Sequence, residues 1–107
     1  MWTMGFDLSV RFSDPQWYRE NRSKVIDLAN ALPSALTESP SNEEVWLKDA
    51  DSSDPWAYEV RILPREDSLD VEVMGFGGTF HRDVRRFMAS LAALTDVLLV
   101  DDDGEPV

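Results

Sequence analysis

Three stretches of the chain hold residues whose types could do chemistry. Gly75-Phe76-Gly77-Gly78-Thr79 falls between an expected strand and an expected helix, where phosphate-cradling loops occur. It lacks the lysine of a phosphate loop and does not fit the dinucleotide fingerprint, so it reads as a tight turn that glycine permits. Asp101-Asp102-Asp103-Gly104-Glu105 offers oxygen ligands for a hard cation, but the acids are contiguous rather than alternating; it reads as a solvated tail, with no metal expected. His81 is the lone histidine and has Asp83 near it. Residues two apart on a helix do not face each other, which argues against an acid–base pair. No serine lies in a nucleophile-elbow context, and there is no cysteine to act as nucleophile, thiolate ligand or disulfide partner. The expectation is a protein without enzymatic activity, cofactor or metal.

Charge and aromatic side chains carry more information. Ten basic residues stand against 21 acidic ones, a net charge of −11. Residues 34–60 hold Glu38, Glu43, Glu44, Asp49, Asp51, Asp54 and Glu59 against Lys48 alone, so seven acids less one lysine supply −6 of that total. Such a field repels nucleic acid, which needs cations to displace phosphate counterions, and speeds the arrival of a basic protein. The same charge also serves solubility without any partner. Trp46 and Trp56 lie within this acidic belt. Core packing is the first expectation for both; the second is that they anchor a partner, since tryptophan supplies binding hot spots and acids supply steering. The candidate partner-binding set is therefore Glu43, Glu44, Trp46, Asp49, Asp51, Asp54, Trp56 and Glu59.

The elements that must position these residues follow from periodicity. Trp2, Met4, Phe6, Leu8, Val10 and Phe12 alternate with polar residues, the mark of a half-buried strand. Asp14-Pro15 caps and opens a helix whose apolar positions are Trp17, Tyr18, Val25, Leu28, Ala29 and Leu32, and which Pro33 ends. Residues 34–43 read as loop, 44–48 as a short strand and 49–55 as an acidic loop. Trp56 to Ile62 and Leu69 to Val73 alternate and form a hairpin across Pro64-Arg65-Glu66-Asp67-Ser68. Thr79 is the expected N-cap of a second helix with the stripe Phe80, Val84, Phe87, Met88, Leu91 and Ala92. The apolar run Val97-Leu98-Leu99-Val100 reads as a buried strand.

The order β-α-β-β-β-α-β predicts one α+β domain over residues 1–107. One mixed or antiparallel sheet of about five strands carries both helices on its apolar face, as a ferredoxin-like fold or a variant of it. The other face is expected to show Asp7, Ser9, Arg11, Glu59, Arg61, Asp70 and Glu72. With 43% hydrophobic residues, four tryptophans and five phenylalanines, the core is large enough to fold without staples. No run approaches a membrane span of about 18 residues. Asp7 and Arg11 interrupt the place where a signal peptide would be apolar, so a cytoplasmic location is expected.

In architecture and composition the chain resembles bacterial toxin-immunity proteins, including those paired with contact-dependent growth inhibition toxins. The features that carry the resemblance are the lone acidic α+β domain, the belt from Glu43 to Glu59, and the ending Leu98-Leu99-Val100-Asp101-Asp102-Asp103-Gly104-Glu105. The resemblance implies a monomer that forms a heterodimer with a cognate toxin domain, often a basic nuclease, and occludes its active site or substrate-binding surface. A small regulatory or ligand-binding domain and a homo-oligomeric structural protein are the alternatives.

Overall fold

The computed structural model describes residues 6–36, 44–49, 57–74 and 79–107. Its elements are β1 (Phe6–Phe12), α1 (Pro15–Asn30), β2 (Val45–Leu47), β3 (Val60–Pro64) and β4 (Ser68–Val73). A π-helical turn (Thr79–Val84) then runs into α2 (Arg85–Ala92), and β5 (Val97–Val100) follows. The strands form one sheet in the order β2-β3-β4-β1-β5, and every neighbouring pair is antiparallel. Without β2 the order is that of a split β-α-β, ferredoxin-like sheet; β2 adds an edge strand outside β3. Among the described residues no helix is long and apolar enough to cross a membrane.

The alternation in the sequence sets which face is covered. Leu8, Val10 and Phe12 of β1, Val60 and Ile62 of β3, and Leu69, Val71 and Val73 of β4 are all buried. They share one cluster with Tyr18, Val25 and Ala29 of α1 and Phe87 and Leu91 of α2. Both helices therefore lie on the same side of the sheet. α1 starts where expected: the Trp17 backbone N–H donates to Asp14 Oδ1 at 3.2 Å, and Pro15 occupies the first turn. Asn21 leaves helical geometry because its side-chain amide donates to the Trp17 carbonyl at 2.8 Å, taking the acceptor that its own backbone N–H would use. The first half of α1 also grips the β3–β4 turn. Tyr18 Oη donates to the Arg65 carbonyl at 3.0 Å, and Arg22 Nη2 to the Pro64 carbonyl at 3.4 Å.

Five expectations change. Residues 34–36 are more than loop: Ala35 bridges to Leu47, the Leu36 N–H donates to Trp46 O at 2.8 Å and the Lys48 N–H to Ser34 O at 2.9 Å. The chain after α1 thus covers the outer edge of β2. The strand expected from Trp56 is paired as β3 only from Val60, because bends at Ala57 and Glu59 break the alternation ahead of it. Thr79 does not cap a helix; it is buried, begins the π-helical turn, and donates its hydroxyl proton to Glu59 Oε1 at 2.9 Å. β5 is an edge strand rather than a buried one, with Leu98 49% exposed.

The acidic ending is a built turn rather than a free tail. Asp101 Oδ1 accepts the backbone N–H groups of Asp103 (3.0 Å) and Glu105 (2.9 Å). Gly104 takes φ +82°, which side-chain-bearing residues rarely adopt. The turn returns the chain along β5, where Pro106 bridges to Val100 and the Val107 N–H donates to Leu99 O at 2.9 Å.

Candidate functional site

Strand register places four outward side chains in a row across the open face of the sheet: Trp46 opposite Arg61, Arg61 opposite Glu72, and Glu72 opposite Asp7. Val45 and Leu47 face the core, so Trp46 must face away from it. It is half-buried rather than part of the core, because Tyr58 lies on it with ring centroids 4.8 Å apart. By simple alternation Tyr58 would have joined Val60 and Ile62 in the core. The bends at Ala57 and Glu59 turn it to the open face instead.

Carboxylates lock this aromatic pair. Glu44 Oε1 accepts the Trp46 indole N–H at 3.1 Å and lies 3.6 Å from Arg61 Nη1. Arg61 Nη2 donates to Glu72 Oε2 at 2.5 Å, Tyr58 Oη donates to Glu72 Oε1 at 2.6 Å, and the Arg61 guanidinium sits 5.4 Å from the Tyr58 ring centroid. Partial burial pushes the Tyr58 hydroxyl pKa up, and the hydrogen bond and charge of Glu72 push it further. Burial would also raise Glu72, but the hydrogen bonds from Tyr58 and Arg61 outweigh it and hold the carboxyl below its ordinary value. At neutral pH the cluster therefore contains a neutral tyrosine, a carboxylate and a guanidinium, with the cation over the Tyr58 ring and the Trp46 ring tilted against it.

Beyond Arg61 and Glu72 the open face dips into a groove of about 380 Å³. Asp7, Ser9 and Arg11 of β1 form one wall, and Arg65 and Asp70 border the β3–β4 end. Asp101 and Asp102 close the side next to β5. Arg65 Nε pairs with Asp70 Oδ2 at 2.7 Å.

A second cluster lies at the end of the sheet. Glu59 Oε1 accepts the Asp49 backbone N–H at 2.7 Å as well as the Thr79 hydroxyl, so Glu59 is drawn off the open face where alternation would put it. Asp49 Oδ2 lies 3.7 Å from Arg82 Nη2. Asp83 is fully buried; its Oδ2 accepts the Ser34 backbone N–H at 3.1 Å and its Oδ1 the Arg82 Nε–H at 3.1 Å. Burial raises its pKa, but the bonds from Ser34 and Arg82 more than offset this and leave it lowered. Asp83 thereby fixes the segment that covers the β2 edge.

The candidate belt thus divides. Glu44 and Trp46 join the open-face cluster, whereas Asp49 and Glu59 are tied into the knot around Thr79 and Arg82. Glu43, Asp51, Asp54 and Trp56 lie outside the described residues, as do the Gly75–Gly78 turn and the side chain of His81. Tyr58, Arg61 and Glu72 are the functional candidates that sequence reasoning missed. Arg61 and Glu72 were legible as outward-facing residues, and only the register shows that they meet beneath Trp46. Asp101, Asp102 and Asp103 can each bring a carboxylate oxygen within 4.8 Å of the others, but Asp101 is already occupied in shaping the turn. Comparison with protein-family models, with curated proteins and with solved structures found no match.

Proposed function

We propose that this chain is an immunity-type protein that binds a cognate, basic, nuclease-type bacterial toxin domain in the cytoplasm. It would neutralise that domain by covering its active site or substrate-binding surface. The observation that supports this reading best is the cluster of Trp46, Tyr58 and Arg61 on the sheet face that neither helix covers. These are the three residue types most enriched in binding hot spots, and here they are held in one geometry by Glu44 and Glu72. Side chains held in place before binding lose less entropy in a complex. The net charge of −11 adds attraction for a basic partner. Self-assembly by strand addition is disfavoured, because Ser34–Leu36 and Pro106–Val107 take up backbone groups at the two sheet edges.

The test is co-expression with the C-terminal domain of the protein encoded immediately upstream of this chain's gene, scored first for its toxicity alone. Cells should survive, and the two proteins should elute as a 1:1 complex. Trp46→Ala combined with Tyr58→Ala should abolish protection while the free protein stays folded. Absence of both protection and a complex with the unaltered chain refutes the proposal.

A further inference from the structure

We infer that the partner is read by the groove on the open sheet face, and that the occupant is a basic protein surface that lowers an arginine or lysine side chain into it. This rests on the partner-binding proposal and moves the contact from the acidic belt to a different set of residues.

Three observations carry it. Both helices share the core side of the sheet, and both sheet edges pair with the chain's own segments. Each outer strand thus already pairs in part with the chain's own segments, while neither helix covers the open face. Second, the charges of the groove do not cancel. Arg61 is matched by Glu72 and Arg65 by Asp70. Asp7, Asp101 and Asp102 remain, with Arg11 as the only further cation among the described residues of the lining; three acids less one arginine leave −2. Arg11, Asp7 and Asp102 make no ion pair among the described residues, so their charges are available to a partner. Third, the groove has apolar rims. Trp46 and Tyr58 stand beyond Arg61 and Glu72 on one side, and Leu98, 49% exposed and opposite Arg11, stands on the other. A charged trough between apolar rims fits a basic side chain flanked by apolar contacts. Arg11 adds a requirement on the partner: a carboxylate or carbonyl beside its cation.

The test uses the isotopically labelled full chain and a hexa-arginine peptide as probe, followed by NMR at low salt. The largest amide shifts should fall on Asp7, Ser9, Arg11, Asp70 and Asp102. Asp7→Asn with Asp102→Asn should weaken peptide binding about five- to tenfold. Glu20→Gln with Asp27→Asn, which removes the same charge from the exposed side of α1, should weaken it less than about twofold. Asp101 is left intact because it shapes the turn. Equal weakening by the two double variants, or shifts centred on residues 44–49 or on α1, overturns the inference. So does a homodimer of the free protein that buries Trp46 and Leu98, since a second copy would then be the occupant. The cognate toxin separates this failure from that of the broader proposal. Undiminished affinity of the Asp7→Asn/Asp102→Asn chain for its toxin rejects the groove and leaves immunity standing. Lack of any toxin binding by the unaltered chain rejects immunity, while the peptide still decides the groove.

Discussion

The open face and the knot at the end of the sheet use the same chemistry for opposite purposes. In the knot, Asp83 is fully buried and receives a backbone N–H and a guanidinium N–H. Glu59 accepts a hydroxyl and a backbone N–H. These carboxylates are occupied by the fold. On the open face, Glu44 and Glu72 steady aromatic and cationic side chains that still reach solvent, and Asp7 and Asp102 stay unpaired among the described residues. A count of acids along the chain cannot separate the two roles. Burial and the origin of the donors can: a carboxylate that bonds backbone N–H groups from distant segments is structural, whereas one that braces exposed side chains is available for recognition.

That contrast can be broken most directly at Asp83. Asp83→Ala should destabilise the free protein by about 2–3 kcal/mol, because the buried Ser34 N–H loses its acceptor and a buried space is left where the carboxylate stood. The urea midpoint measures it, and a loss below about 0.5 kcal/mol would mean that the knot is dispensable. Next in size, Trp46→Ala should raise the dissociation rate from the partner by the equivalent of about 2 kcal/mol and cost the free protein less, since Trp46 faces away from the core that Val45 and Leu47 enter. A free-protein loss that exceeds the binding loss would make Trp46 structural after all.

Acid should act on both regions together. The folded-state pKa values of Asp83 and Glu72 are depressed. Between those values and the ordinary carboxylate range of about 3.9–4.3 the unfolded chain binds more protons than the native one. Their contribution is therefore complete above that range and lost as pH falls through the lowered values. Asp83→Asn should flatten this acid limb of the urea midpoint against pH; an unchanged slope would show that other carboxylates set it. The smallest effect belongs to an exposed pair. Arg19 and Asp67 meet at 2.7 Å with about half of each side chain in water, and Arg19→Ala should leave the thermal midpoint within error.

Periodicity and capping made most of the fold legible. The alternation in β1, β3 and β4, the Asp14-Pro15 start of α1 and the one-sided apolar stripes all depend on neighbours within a few residues. What escaped depends on distant ones. Val45-Trp46-Leu47 is too short a run to say which face is inside, and it is the pairing of Trp46 with Arg61 that decides. Tyr58 departs from the pattern that Val60 and Ile62 obey because the chain bends on either side of it. Asp83 seemed relevant only to His81, since nothing local shows that the Ser34 N–H arrives from 49 positions away. The acidic ending looked unstructured because composition does not reveal that one carboxylate oxygen organises two backbone groups.

The one-sided sheet has a consequence for how such a protein diversifies. Along β1, β3 and β4 buried core residues alternate with residues outside the core, so the two sets of letters can be rewritten separately. Substitutions at Asp7, Arg11, Arg61, Asp70 or Glu72 alter the charge and shape of the open face while the packing beneath keeps the same volume. On the proposed reading, a lineage exchanges one binding specificity for another without passing through unfolded intermediates, and relatives with unlike surfaces retain superposable backbones.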